Sequence, residues 1–154
     1  MLLPDCVPPV EVDPSFCLTF DAASYPASSF YEGGIKFNKH YYLTPWQMNG
    51  EEAECAAVID AMEEVQYWVR NIEREDCSFW LPTSTDRFYP DFVAQLRDGR
   101  ILVVEYKSER EWSTDDSREK RAIGELWAEQ SKGRCLFVMP KGRDWNAITG
   151  AIGR

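Results

Sequence analysis

Asp91, Glu105 and Lys107 are the residues of this chain whose types and spacing could do chemistry. Two carboxylates brought together can hold a hard divalent cation through oxygen ligands, and a lysine two residues after the second acid can polarise a water or a phosphate. That is the composition of a metal-dependent phosphodiesterase site. The three residues flank two apolar runs, Phe92-Val93-Ala94-Gln95-Leu96 and Ile101-Leu102-Val103-Val104, joined through Asp98-Gly99. Pro90-Asp91 opens the first run and Glu105-Tyr106-Lys107 ends the second, so a hairpin puts both acids at one end while its middle stays apolar. Ordinary cross-strand pairing of an acid with a lysine is worth only about a few tenths of a kcal/mol and does not explain two acids beside buried runs.

The register of that hairpin decides whether the acids can meet. A strict two-residue turn at Asp98-Gly99 sets Asp91 opposite Tyr106 and sends Asp91 and Glu105 to opposite faces. A three-residue loop, Arg97-Asp98-Gly99 with Gly99 as the left-handed bulge residue, sets Asp91 opposite Glu105. Asp91, Glu105 and Lys107 then share one face, and convergence is the expectation. Val93, Ile101 and Val103 fall on one face, and Phe92, Leu96, Leu102 and Val104 on the other. Strands apolar on both faces are covered on both faces, which implies an α/β/α layer arrangement.

The elements that would position this hairpin are legible in part. Residues 1–48 are rich in proline, serine and aromatics without a helical period, and read as an extended arm with short strands. Residues 49–154 read as the core. Glu52, Cys55, Ala56, Ile59 and Met62 make one stripe of an amphipathic helix. Val65 to Arg70 reads as a strand, and Ser78 to Leu81 as another short one. Asp116-x-x-Glu119 is a capping-box pattern opening a helix through Ile123, Leu126, Trp127 and Gln130, which Gly133 closes. Lys120 and Arg121 lie in its first two turns, where the helix dipole disfavours basic side chains, and so are candidates to reach a phosphate; solvated surface charge is the plainer account. Cys135 to Met139 reads as a buried strand, and Asp144 to Ile152 as a short final helix. Tyr67, Trp68, Trp80 and Trp127 lie inside apolar runs and are expected in the core rather than stacked on bases.

Composition bounds the rest. A chain of 154 residues that is 44% hydrophobic fits one globular domain. There is no apolar run of membrane-spanning length and no basic, apolar leader at the N-terminus, so a soluble, cytoplasmic protein is expected. Five cysteines (Cys6, Cys17, Cys55, Cys77, Cys135) without a Cys-x-x-Cys pair indicate neither a disulfide framework nor a zinc site. The single histidine, His40, cannot build a histidine-rich metal centre and reads as structural. A net charge of −9 argues against general nucleic-acid binding by clustered Lys and Arg, unless acids ring a cation or another chain supplies most of the affinity.

The ordered combination Phe37-Asn38-Lys39-His40-Tyr41-Tyr42, Trp68-Val69-Arg70-Asn71, Phe79-Trp80-Leu81-Pro82, the hairpin, and Ser117 to Trp127 resembles the C-terminal PD-(D/E)XK nuclease region of type III restriction enzyme Res subunits and related helicases. The resemblance covers about residues 35–150. It implies a restriction-endonuclease-like α/β/α core with a central mixed sheet, DNA as substrate and Mg²⁺ as cofactor, with Mn²⁺ as substitute. It further implies Asp91 and Glu105 as metal ligands, the Tyr106 carbonyl as another, and Lys107 as activator of water or stabiliser of the pentacovalent phosphate. Glu52, or a neighbour among Glu51 and Glu54, matches the family's N-terminal helix acid. The chain departs from those enzymes in one respect: it carries no Gly-x-x-x-x-Gly-Lys-Ser/Thr segment, so translocation would belong to a separate helicase motor. The alternative is a catalytically silent module of the same fold that docks a helicase or modification subunit.

Overall fold

The computed structural model describes Tyr25 and residues 29–153, so most of the proline-rich arm, with Cys6 and Cys17, lies outside the described residues. Among the described residues there are three helices: α1 (Gly50–Ala61), α2 (Asp115–Gln130) and α3 (Asn146–Ile152). The strands are β1 (Val65–Arg70), β2 (Leu81–Pro82), β3 (Arg87–Phe88), β4 (Phe92–Leu96), β5 (Ile101–Val104) and β6 (Cys135–Val138). Four of them form a central mixed sheet in the order β1-β4-β5-β6, antiparallel except for the β5–β6 pair, while β2 and β3 make a separate two-stranded ribbon. No helix among the described residues is long and apolar enough to cross a membrane.

Both faces of the sheet are apolar, and both are covered. Phe92, Ala94, Leu96, Leu102 and Val104 pack with Cys55, Ala56 and Ile59 of α1 and Ile148, Ala151 and Ile152 of α3. Val93, Ile101, Val103 and Phe137 pack on the other side with Trp127 of α2, beneath the ribbon residues Leu81 and Phe88. The alternation within the hairpin thus assigns each strand residue to one of two cores. Trp68 and Trp127 are fully buried, as expected, whereas Tyr67 and Trp80 are only half-buried.

The hairpin has the three-residue loop. Phe92 pairs with Val104 and Gln95 with Ile101. The Leu96 N–H donates to the Arg100 carbonyl at 2.9 Å, and Gly99 takes the left-handed φ of 94° that the bulge position requires.

Two local expectations are corrected. The N-cap of α2 is Thr114, whose hydroxyl accepts from the Ser117 N–H, rather than Asp116. Glu119 is used elsewhere, accepting from the Ser84 N–H at 2.6 Å and tying the ribbon's turn to α2. The capping box occurs instead on α1, where Asn49 and Glu52 exchange side-chain to backbone hydrogen bonds. The short strand expected over Ser78 to Leu81 begins only at Leu81, because the backbone of Phe79 is bonded through both its N–H and its carbonyl to the Asn71 side chain.

Helix α2 approaches the sheet at Gly124. A β-carbon there would lie 2.5 Å from the Phe137 ring, which is itself buried against Phe88. Gly124→Ala is therefore expected to destabilise the chain by about 1–3 kcal/mol through overpacking, even after the gain of about 1 kcal/mol in helix propensity. Urea denaturation would show it as a lower midpoint.

Candidate active site

The antiparallel β4–β5 ladder ends at Phe92 and Val104, and one residue further on each strand stands an acid. There, side chains replace the backbone ladder. The Asp91 N–H donates to Glu105 Oε1 at 3.1 Å, and the Tyr106 N–H donates to Asp91 Oδ2 at 2.8 Å. Each carboxylate is thus fixed by the other's strand, and the two face each other across the splayed strand ends. On its far side β5 runs on beside the segment after β6. Glu105 N–H donates to the Val138 carbonyl at 3.1 Å and Gly142 N–H to that of Lys107 at 2.7 Å. This extended backbone puts Glu105 and Lys107 on one face, with Nζ 3.2 Å from Glu105 Oε2, while the Tyr106 ring turns to the opposite core. Asp91, Glu105 and Lys107 therefore converge, as the register requires.

Glu52 joins them from α1. The sequence left three acids open at this helix start, and their partners separate them: Glu51 and Glu54 pair with exposed Arg143, whereas Glu52 turns inward. Between Glu52 and Asp91 stands Arg70, the last residue of β1. Its Nη1 lies 2.7 Å from Asp91 Oδ1 and its Nη2 3.3 Å from Glu52 Oε2. Arg70 is not among the site residues expected from the sequence. The available signal was an arginine closing a strand whose last residues are apolar, where burial demands a charged partner. Below Arg70, its own N–H donates to His40 Nε2 at 3.0 Å, so the ring's proton is on Nδ1, which lies 2.9 Å from the Tyr42 carbonyl. Burial holds His40 down to about 4, neutral and structural as expected.

Asn71 locks the hairpin's entrance. Its Nδ2 donates to the carbonyls of Phe79 and Pro90 at 2.8 Å each, its Oδ1 accepts from Phe79 N–H at 3.0 Å, and its backbone N–H bonds the Asp91 carbonyl. Asn71→Ala leaves these buried groups without partners and frees Asp91 to shift. A loss of about 2–4 kcal/mol is expected, measurable as a lower thermal midpoint.

Electrostatics concentrate at the acids. Burial first, and the Asp91 charge second, push the Glu105 carboxyl well above the usual carboxylate range, against the pull of Lys107. Burial and Asp91 likewise raise Glu52, opposed by Arg70. Burial works against the charge of Lys107, but its contacts with Glu105 and Asp91 outweigh it, and its pKa ends above normal. Lys120 pairs with Asp116 at 2.9 Å, lies 5.4 Å from the Phe88 ring centroid and is close enough to favour the charged form of Glu105. Arg121 turns away. Its guanidinium stacks at 3.6 Å on the Trp112 ring and donates to the Trp112 carbonyl at 3.0 Å. An open pocket of about 290 Å³ lined by Trp46, Gln47, Asn49, Glu52 and Arg70 adjoins the cluster.

The donors suit a hard cation. Among the described residues no three His, Cys, Asp or Glu side chains make a complete metal cluster by themselves. Asp91 and Glu105 would have to be completed by a main-chain oxygen, for which the Tyr106 carbonyl is the candidate, and by water. Arg70 and Lys107 offset part of the repulsion between the half-buried Asp91 and the buried Glu105, and such an ion would relieve the rest. Comparison of the chain with protein-family models, with curated proteins and with solved structures found no match.

Proposed function

We propose that this chain is a Mg²⁺-dependent DNA endonuclease domain of the PD-(D/E)XK type, similar to the nuclease region of type III restriction enzyme Res subunits. The carrying observation is the convergence of Asp91, Glu105 and Lys107 at the open end of a hairpin buried on both faces. The element order supports the same reading: a helix, three antiparallel strands of the central sheet, a helix, and a strand parallel to the last. Mg²⁺, or Mn²⁺ in its place, would be held by Asp91, Glu105 and the Tyr106 carbonyl. Once bound, it would lower the pKa of a coordinated water and neutralise charge developing on the phosphate.

The chain's own residues do the rest. Lys107, held by Glu105, carries its ammonium beside the cation site, where it stabilises a phosphate or orients the attacking water. Glu52 and Arg70 fix Asp91 from the α1 side. Lys120 and the ribbon, where Arg87 stacks on Trp80 at 4.2 Å, supply positive charge and a π-face alongside the site. With a net charge of −9, most duplex affinity would come from a helicase or translocase motor on another chain or domain, and a modification subunit is a further candidate partner. A second reading has one observation in its favour: Arg70 already neutralises part of the acidic cluster, which suits a silent docking module for a helicase or modification subunit.

Cleavage of supercoiled plasmid separates the two. Purified chain with Mg²⁺ is expected to nick DNA, EDTA to stop it, and Asp91→Ala or Lys107→Ala to slow it by about 100-fold or more. Intact plasmid under all conditions, with the motor supplied as well, would leave only the docking module.

A further inference from the structure

We propose that Arg70 is a built-in cation that fills the Glu52–Asp91 half of the acidic cluster, so that the site takes one divalent ion, on the Asp91–Glu105 side. This rests on the nuclease reading for the ion itself. Glu52, Asp91 and Glu105 leave two gaps in which a hard cation could sit, Glu52–Asp91 and Asp91–Glu105, each needing main-chain oxygen and water to complete it. The geometry removes one of those places. The Arg70 guanidinium lies between Glu52 and Asp91, at 3.3 and 2.7 Å from their oxygens. Further contacts hold it there. Its Nε donates to the Gln47 carbonyl at 3.2 Å and its Nη1 also to the Asp91 carbonyl at 3.3 Å. The rings of Trp46 and Phe92 lie 5.6 and 5.5 Å from its central carbon, and its backbone N–H is anchored on His40.

A guanidinium stays charged at any relevant pH, and it needs no coordination sphere of water. It therefore occupies the Glu52–Asp91 gap permanently, as a divalent ion would only in part. Charge balance points the same way. With all three acids ionised, Arg70 and Lys107 leave one net negative charge in the cluster. One divalent ion turns that into a single positive charge, matched to the single negative charge of a phosphodiester. A second would leave three positive charges in the same cluster. Arg70 is in this account a positioning residue: it acts through Glu52 and Asp91.

Counting Mn²⁺ tests it. Isothermal titration of Mn²⁺ into the full chain is expected to give one ion per chain for the wild type and for Arg70→Lys. Arg70→Gln, with near-UV circular dichroism showing that it folds, is expected to bind two, and adding Glu52→Gln to it should return the count to one. Two ions in the wild type, or one in folded Arg70→Gln, would overturn the proposal. Should Arg70→Gln fail to fold, Glu52→Gln alone decides. Engaged with Arg70 rather than with the ion, Glu52 should be replaceable with less than about a 10-fold change in Mn²⁺ affinity, and a larger loss would overturn the assignment. No ion at all in the wild type would defeat the nuclease reading as well, whereas two ions would defeat only the role of Arg70.

Discussion

On the proposed nuclease reading, Glu105→Gln is expected to yield a chain that does not cleave DNA and yet resists unfolding better at neutral pH. The two effects have one cause. Glu105 is almost fully buried, and burial and the Asp91 charge hold its carboxyl well above the usual range. A carboxyl whose folded pKa is raised binds its proton more tightly in the folded chain than in the unfolded one, so folding loses stability as pH rises from the unfolded pKa towards the folded one. Glutamine keeps the size and the oxygen that accepts from the Asp91 N–H without the charge, and so escapes that loss, less the pairing with Lys107 that it gives up. The variant's advantage should be present at pH 7, shrink as the pH is lowered and vanish below the unfolded carboxylate range. Denaturant melts across pH, without divalent ions, would show it. On that reading cleavage moves the opposite way, since removing a ligand charge at a phosphoryl-transfer site costs on the order of 10³-fold in rate. Equal stability of the two proteins at every pH would contradict the assignment of Glu105 as an acid held against its own burial.

Arg70→Ala carries the largest expected cost in stability, about 3–5 kcal/mol, because it strands Glu52 and Asp91 as half-buried acids with no counter-charge. It also empties the space beside Trp46 and Phe92 and leaves the Gln47 carbonyl without its donor. Chemical denaturation should show a markedly lower midpoint, and Mn²⁺ should restore part of the loss by taking the arginine's place between the acids. A change under about 1 kcal/mol would mean that Arg70 is a dispensable surface pair.

How far the sequence reached can be followed residue by residue. Gly99 was decisive, since a glycine after Asp98 allowed the left-handed bulge, and the bulge sets Asp91 opposite Glu105. The two-faced apolar pattern of β4 and β5 gave the layers, because strand periodicity is local and strict. β1 was legible for the same reason, with the expected bounds Val65–Arg70. What escaped the reading depends on distant partners. Asp116-x-x-Glu119 and Thr114-x-x-Ser117 both look like helix starts, and the choice turns on Glu119 reaching Ser84, 35 positions away. The bounds of β2 depend on the Asn71 side chain, which holds Phe79 out of the strand. Arg70 is the clearest case: an arginine closing a buried strand calls for a charged partner, but its partners lie 18 and 21 positions off, so its neighbourhood does not say which acids they are.

The location of a bound Mn²⁺ tests the central claim most directly, through its anomalous scattering in crystals of the wild-type chain. The account predicts one peak, about 2.0–2.6 Å from oxygens of Asp91, Glu105 and the Tyr106 carbonyl, with Lys107 at its edge and Arg70 still between Glu52 and Asp91. A peak elsewhere on the chain, or none at saturating Mn²⁺, would contradict it.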